Sequence, residues 1–231
     1  MDANPIIKAV QGGEVEDVEA LLSSDERLAE TRNENGVSLV LLALYHRQPG
    51  MAQLVAQALV TNRGLDVFEC AALGRSETLV ALLEDDPGLV AARSPDGFTA
   101  LHLACFFAQT ECVRALLRRG AQTNVAASNP TAVHPLHSAV AAHQQKIVQS
   151  LLDAGADPNA RQQGDFTALH AAAHSGQASL VDLLLSHGAD PCLEDKDGVT
   201  AAGHARQAGH AALADQLDGR PEPSPSPDGP R

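Results

Sequence analysis

Two stretches decide the fold: DGFTALHLACFFAQTECVRALLRRGAQTN (residues 96–124) and GDFTALHAAAHSGQASLVDLLLSHGADPC (residues 164–192). Phe98 falls on Phe166, Thr99 on Thr167, Leu101 on Leu169, His102 on His170 and Gly120 on Gly188, every pair 68 residues apart. Between them, HPLHSAVAAHQQKIVQSLLDAGADPN (134–159) carries the same pattern, with Leu101, Leu136 and Leu169 spaced by 35 and then 33. One more copy, DGVTAAGHARQAGHAALADQL (197–217), sets Thr200 33 residues after Thr167. A fixed period in the thirties is the signature of a repeat architecture.

The N-terminal half holds fainter copies at 9–29, 38–59 and 70–90, the middle one distorted around HRQPGM. About seven units result, at 4–35, 36–64, 65–97, 98–130, 131–165, 166–198 and a truncated 199–219, within a repeat domain of residues 1–219.

Each unit translates into a helix pair. Thr99 or Thr167 serves as an N-cap whose hydroxyl takes an orphan amide of the first turn. Leu101, Ala104 and Cys105 then recur at helical spacing, and a polar break follows, clearest at Ser175-Gly176. A second helix pairs Cys112/Val113 with Leu116/Leu117, Ile147/Val148 with Leu151/Leu152, and Leu180/Val181 with Leu184/Leu185. Gly120, Gly155 and Gly188 stand where a left-handed cap is wanted. An extended stretch and a tight turn lead into the next copy. One such pair cannot bury its apolar face alone, so copies must stack; the expected class is an all-α solenoid.

On these residues the chain resembles the ankyrin-repeat family, whose pattern is T-P-L-H-x-A-A, a short break, G-H-x-E, and V-V-x-L-L-L-x-x-G-A-D-x-N. The likeness covers roughly residues 4–217 and is strongest from 65 onward; LLALYHR and DVFECAALGR in the opening half resemble bacterial ankyrin-repeat proteins. The motif proline is alanine at Ala100, Ala168 and Ala201 and is kept at Pro135, while Ala108 and His143 replace the inter-helix glycine. The stretch NVAASNPTAV (124–133) has two extra residues, which predicts a longer or irregular finger.

The resemblance implies protein binding without catalysis, through the finger tips and the solvent face of each first helix. The implied positions are Pro95, Asp96, Phe98, Phe106 and Phe107; then Asn129, Thr131 and Ala141-Ala142; then Gln163, Phe166, His174 and Ser175; and last Lys196, Asp197, Val199, Gln207 and Ala208. The chain has five phenylalanines, one tyrosine and no tryptophan. Phe98, Phe106, Phe107 and Phe166 all fall on recognition positions, and Phe68 is aligned with the inward motif histidine. Interface energy concentrates in aromatic anchors, so a binding centre near units four to six is expected. Alternatively, Phe98 and Phe166 are spacers between fingers, and one of Phe106 and Phe107 turns into the core.

The formal net charge of −13 disfavours nucleic acid and favours a partner with a basic or apolar patch. The longest apolar run, VSLVLLALY at 37–45, is too short to cross a bilayer, and the N-terminus has no secretory pattern. Cys70, Cys105, Cys112 and Cys192 form no CxxC pair and read as reduced cytosolic thiols.

No cofactor, metal or catalytic residue is expected. His170 and His174 have metal-ligand spacing but lack the adjacent glutamate, and the resemblance gives His170, like His102 and His137, a bond to the neighbouring finger's backbone. EDKDG (194–198) opens like a calcium loop but places Arg206 where the closing glutamate belongs, so it reads as a turn. GxSxG, P-loop and GxGxxG patterns are absent. EVEDVE (14–19) suits the polar cap of a stack. GRPEPSPSPDGPR (219–231) alternates proline with polar residues and predicts an extended, disordered tail at 220–231, with only a weak signal for a polyproline ligand. A cytoplasmic monomer is expected, with a regulatory or inhibitory subunit of an enzyme, or an enzyme with an unrecognised site, as rival readings.

Overall fold

The computed structural model describes residues 4–60 and 63–219; the tail expected at 220–231 lies outside them. Fourteen α-helices among these residues form seven consecutive pairs. The residues divide after Ala121 into two compact units.

The first unit holds α1 (Pro5–Gly12), α2 (Val15–Ser24), α3 (Leu39–Tyr45), α4 (Pro49–Val60), α5 (Val67–Leu73), α6 (Ser76–Asp85), α7 (Ala100–Phe106) and α8 (Thr110–Arg118). First helices stack on first helices, α1 on α3, α3 on α5 and α5 on α7, while α2 packs on α4 and α6 on α8. The second unit holds α9 (Pro135–Ala141), α10 (Gln145–Asp153), α11 (Ala168–His174), α12 (Ala178–Ser186), α13 (Ala201–Gln207) and α14 (Ala211–Asp218). Here α9, α11 and α13 stack in turn, and α10 packs on α12. Each unit is thus a segment of all-α solenoid, as the period predicts. The last copy carries both helices of its pair, so the truncation expected there spares them.

The caps are those the sequence announces. Thr99 and Thr167 accept from the amides of His102 and His170, and Ser38 and Asp66 cap their helices in the same place. Small residues line the helix contacts: Ala71, Ala104, Cys105, Ala139 and Ala172 are fully buried, and Leu101, Leu136 and Leu169 are each about 1% exposed. Burying one such leucine contributes roughly 1.5–3 kcal/mol.

Every pair turns between its helices through a left-handed residue: Gly13, Arg47, Gly74, Ala108, His143, Gly176 and Gly209, with φ from 57° to 86°. Gly120, Gly155 and Gly188 are also left-handed, at φ 80°, 83° and 87°, as expected.

Five of the six inter-pair connections are long: residues 25–38, 86–99, 119–134, 154–167 and 187–200. Antiparallel bridges close four of them into fingers, at Arg32–Ser38, Arg93–Thr99, Arg161–Thr167 and Glu194–Thr200. The 119–134 connection carries the extra residues and closes differently. The Ala127 amide donates to the Val133 carbonyl at 2.7 Å, and Ala132 takes a positive φ of 48°. The sixth connection is the exception: α4 ends at Val60 and α5 begins at Val67, and six residues between them are too few for a finger of the length seen elsewhere.

Candidate functional site

Fingers are held by short polar side chains at their turns. Asn33 Oδ1 accepts from the amides of Asn35 and Val37, each at 3.0 Å, and Asp195 Oδ1 accepts from Asp197 and Val199, each at 2.9 Å. EDKDG is therefore a finger turn, as read. The Val199 amide leads the contacts that hold the Asp195 carboxyl down to about 2, and His204 Nε2 adds a 2.8 Å bond.

Without a finger before α5, its neighbours close over the gap. The Tyr45 hydroxyl, at the end of α3, donates to Asp96 Oδ2 at 2.7 Å, and a Cβ on Gly36 would lie 3.0 Å from Pro95 Cβ. Beneath this bridge Val37, Leu41, Ala72 and Leu103 form a second small core, against which Tyr45, Phe68, Phe98 and Phe107 pack. The Phe107 ring stacks on Tyr45 at 5.9 Å and meets Phe106 edge-on at 5.1 Å.

These contacts place the first group of predicted residues. Pro95 is exposed at a finger tip; Asp96 is half-buried and also accepts from the Ser94 hydroxyl. Phe98 is half-buried against the small core. Phe106 stands 48% exposed at the last position of α7, while Phe107 turns inward. The structure brings this group together and adds Tyr45 and Phe68, which the repeat pattern did not single out as partners of these rings.

The register at α5 also corrects the sequence. Its N-cap is Asp66, and Glu69 occupies the third helical position that His102 and His170 hold elsewhere. Phe68 therefore matches Leu101, and Glu69 matches the motif histidine. Glu69 is fully buried, with Oε1 accepting from Arg63 at 2.8 Å and Oε2 from the Asp66 amide at 2.9 Å. The missing finger hid this register, because it removed the spacing that would have aligned the unit.

In the second unit the fingers touch through their backbones. The Gln163 amide donates to the Thr131 carbonyl and the Lys196 amide to the Gly164 carbonyl, each at 2.9 Å. Asn129 caps the Thr131 amide at 3.1 Å. The side chains of Gln163, Lys196 and Asp197 are exposed, with Lys196 Nζ on Asp197 at 2.8 Å. Phe166 is half-buried, with ring centres of His170 and His204 at 5.2 and 5.1 Å. His174 and Ser175 are exposed at the end of α11, Ala141 and Gln207 are exposed at the ends of α9 and α13, and Ala142, Val199 and Ala208 are half-buried. The outward-facing rings expected from the sequence thus reduce to Phe106. Phe98, Phe107 and Phe166 are partly covered by neighbouring side chains: Phe98 and Phe166 follow finger turns and pack by His102 and His170, and Phe107, at the end of α7, packs on Tyr45.

The histidines are structural. The Thr167 amide donates to His170 Nδ1 at 3.1 Å, so that nitrogen is unprotonated and Nε2–H donates to the Val199 carbonyl at 3.1 Å. Both ring nitrogens are thereby engaged, which leaves no lone pair for a metal. His137 Nε2 meets the Phe166 carbonyl in the same way, at 3.1 Å. Among the described residues, no three His, Cys, Asp or Glu side chains are placed to hold a metal ion. Burial pushes the Cys70 thiol up to about 12 and Cys112 to about 11, far from a reactive thiolate; Cys192 is exposed in its finger.

Row by row, the last residue of each first helix gives a column on the solvent side. In the first unit the column reads Gly12, Tyr45, Leu73, Phe106; in the second it reads Ala141, His174, Gln207. The large apolar side chains of the column are therefore on α3, α5 and α7, and α7 belongs to the fourth of the expected units four to six.

The family model for ankyrin repeats (three copies) matches residues 67–162 and again residues 136–218. No curated protein matches the chain. The chain belongs to the ankyrin-repeat family, whose repeats generally serve as protein–protein interaction modules. No helix among the described residues is long and apolar enough to cross a membrane.

Proposed function

We propose that the chain is a non-catalytic binding module that docks a partner protein through the ends of its first helices and its finger tips, centred on Phe106. One observation carries this reading. In a chain so poor in rings, Phe106 stands exposed where ordinary burial would have placed an alanine or a polar residue, as at Ala141 and Gln207. An exposed aromatic supported edge-on by a second ring is a preorganised anchor. Pro95 and Asp96, at a finger tip of the first unit, join it in this reading. Gln163, Phe166, His174, Ser175, Lys196 and Asp197 form the corresponding surface of the second.

The net charge of −13 favours a partner with basic or apolar character over nucleic acid. We place the module in the cytosol, where its four cysteines would stay reduced. LLALYHR and DVFECAALGR support a bacterial ankyrin-repeat type. The test is affinity capture from native cells with wild-type chain and Phe106→Ala side by side. Partners retained by the first and lost from the second support the reading; identical captures sink it.

A further inference from the structure

Within the first unit, the ring row that ends on Phe106 starts beside an acid. The Phe106 and Phe107 rings stand at 85° to each other with centres 5.1 Å apart. Tyr45 lies 28° from parallel with Phe107 at 5.9 Å, so the three ring centres fall within about 11 Å. Asp96 closes the row at its Tyr45 end, where Oδ2 accepts the Tyr45 hydroxyl at 2.7 Å and the other carboxylate oxygen accepts from Ser94. Asp96, Tyr45 and Phe107 are half-buried, and Phe106 is the most open.

Rings and carboxylate in one row favour a cation over a plain hydrocarbon. An aromatic face attracts a positive charge held within about 6 Å of its centre. A phenol that donates to a carboxylate gains electron density in its ring, which deepens that attraction at Tyr45. The surroundings carry the same sign: Glu34 is exposed on the preceding finger, whose Gly36 meets Pro95, and the whole chain has a net charge of −13. Among cations, arginine suits the shape of the row. Its apolar stem can lie along an open ring, its planar head stacks on the next, and the edge of that head offers N–H groups to a carboxylate.

We propose that this row is an arginine subsite. A partner protein lays the stem of one arginine across Phe106 and sets the guanidinium over Tyr45, with its N–H edge toward Asp96. The proposal rests on the reading of Phe106 as a docking anchor and names the chemistry that the anchor selects.

The probe is a random dodecapeptide library, selected on full-length chain and counter-selected on the Phe106→Ala variant. The enriched peptides are expected to share an arginine. Citrulline at that position keeps the shape and removes the charge, and should weaken binding about tenfold or more. Asp96→Asn should weaken the arginine peptide and leave its citrulline form unchanged. Peptides free of tyrosine and tryptophan should also change the emission of Tyr45, the sole tyrosine in a chain without tryptophan. The citrulline comparison uses wild-type chain, so it decides even where Asp96→Asn does not fold. Phe106-dependent peptides that lack arginine, that hold their affinity with citrulline, or whose two forms weaken equally in a folded Asp96→Asn overturn the subsite and leave the docking anchor standing. A library in which no peptide separates wild type from Phe106→Ala removes the anchor and the subsite together.

Discussion

The Tyr45 hydroxyl bonds to the Asp96 carboxylate at 2.7 Å, tying the end of α3 to the finger that leads into α7, two pairs further along the chain. Such a tie exists because the pair between them brings no finger of its own. Tyr45→Phe keeps the ring stack on Phe107 and removes only the bond. A hydrogen bond to a charged acceptor contributes about 1.5–3 kcal/mol, and the variant should lose that much, read by urea unfolding. Burial and then Asp96 push the Tyr45 ionisation well above its ordinary range. Wild-type tyrosine absorbance should therefore stay protonated past pH ~10 until the fold opens. Unchanged stability with an ordinary titration would place the hydroxyl in solvent.

The fifth pair lacks a capping hydroxyl. His134 stands where Thr99, Thr167 and Thr200 cap their helices; it makes no side-chain cap, and its buried Nδ1 finds no partner. His134→Thr should complete the box with His137 and stabilise the chain by about 1 kcal/mol, measured by the same unfolding. A loss of stability would mean that the imidazole packs better than the cap bonds.

Left-handed backbone at a residue with a Cβ costs about 1–2 kcal/mol. Ala108, at φ 61°, should gain most of this on Ala108→Gly. Gly74→Ala runs the other way: at φ 76° its new Cβ would fall on the Gln109 amide group, whose Nε2 donates to the Ala72 carbonyl at 3.1 Å. Opposite signs in the two melting shifts are expected; like signs would contradict the backbone account.

Acid should loosen the second unit in two windows. Burial holds His134 and His170 below the usual imidazole range, with His204 as a further cause at His170. Their unfolded forms bind protons near pH 6.5, so this stability is complete above that value and is lost as pH falls below it. Asp195, held at about 2 against an ordinary 3.8, contributes stability above pH 3.8 that is lost on the way down to 2. Denaturant melts from pH 7.5 to pH 5 should show falling stability, with a flatter profile for His134→Thr. A rise over that interval would reverse the sign of the linkage.

Much of this was legible in the chain, for a physical reason. Thr99 and Thr167 cap their helices, His102 and His170 take the cap residue's amide on Nδ1, and Gly120 and Gly188 turn left-handed, so identity of residue carried identity of structure. Where that work changed, the reading slipped. The fingerless connection before α5 removed the turn residues that mark register, and Glu69 replaced the histidine with a carboxylate held by Arg63. The aromatics misled for a related reason. Phe68 was set one position off with its whole unit; for the other rings, facing water depends on neighbours distant in sequence, Tyr45 and its small core for Phe98 and Phe107, and His204 for Phe166.

The central claim is that Phe106 is an anchor while Phe107 is its support. It is tested most directly by calorimetric titration of a captured partner into wild type, Phe106→Ala and Phe107→Ala, with thermal melts of the same samples. An anchor worth 2 kcal/mol or more predicts roughly 30-fold weaker binding for Phe106→Ala, with a melt near wild type because the ring is about half exposed. Phe107→Ala should lower the melt. Undiminished affinity in Phe106→Ala, or a collapse of its stability, would contradict the account.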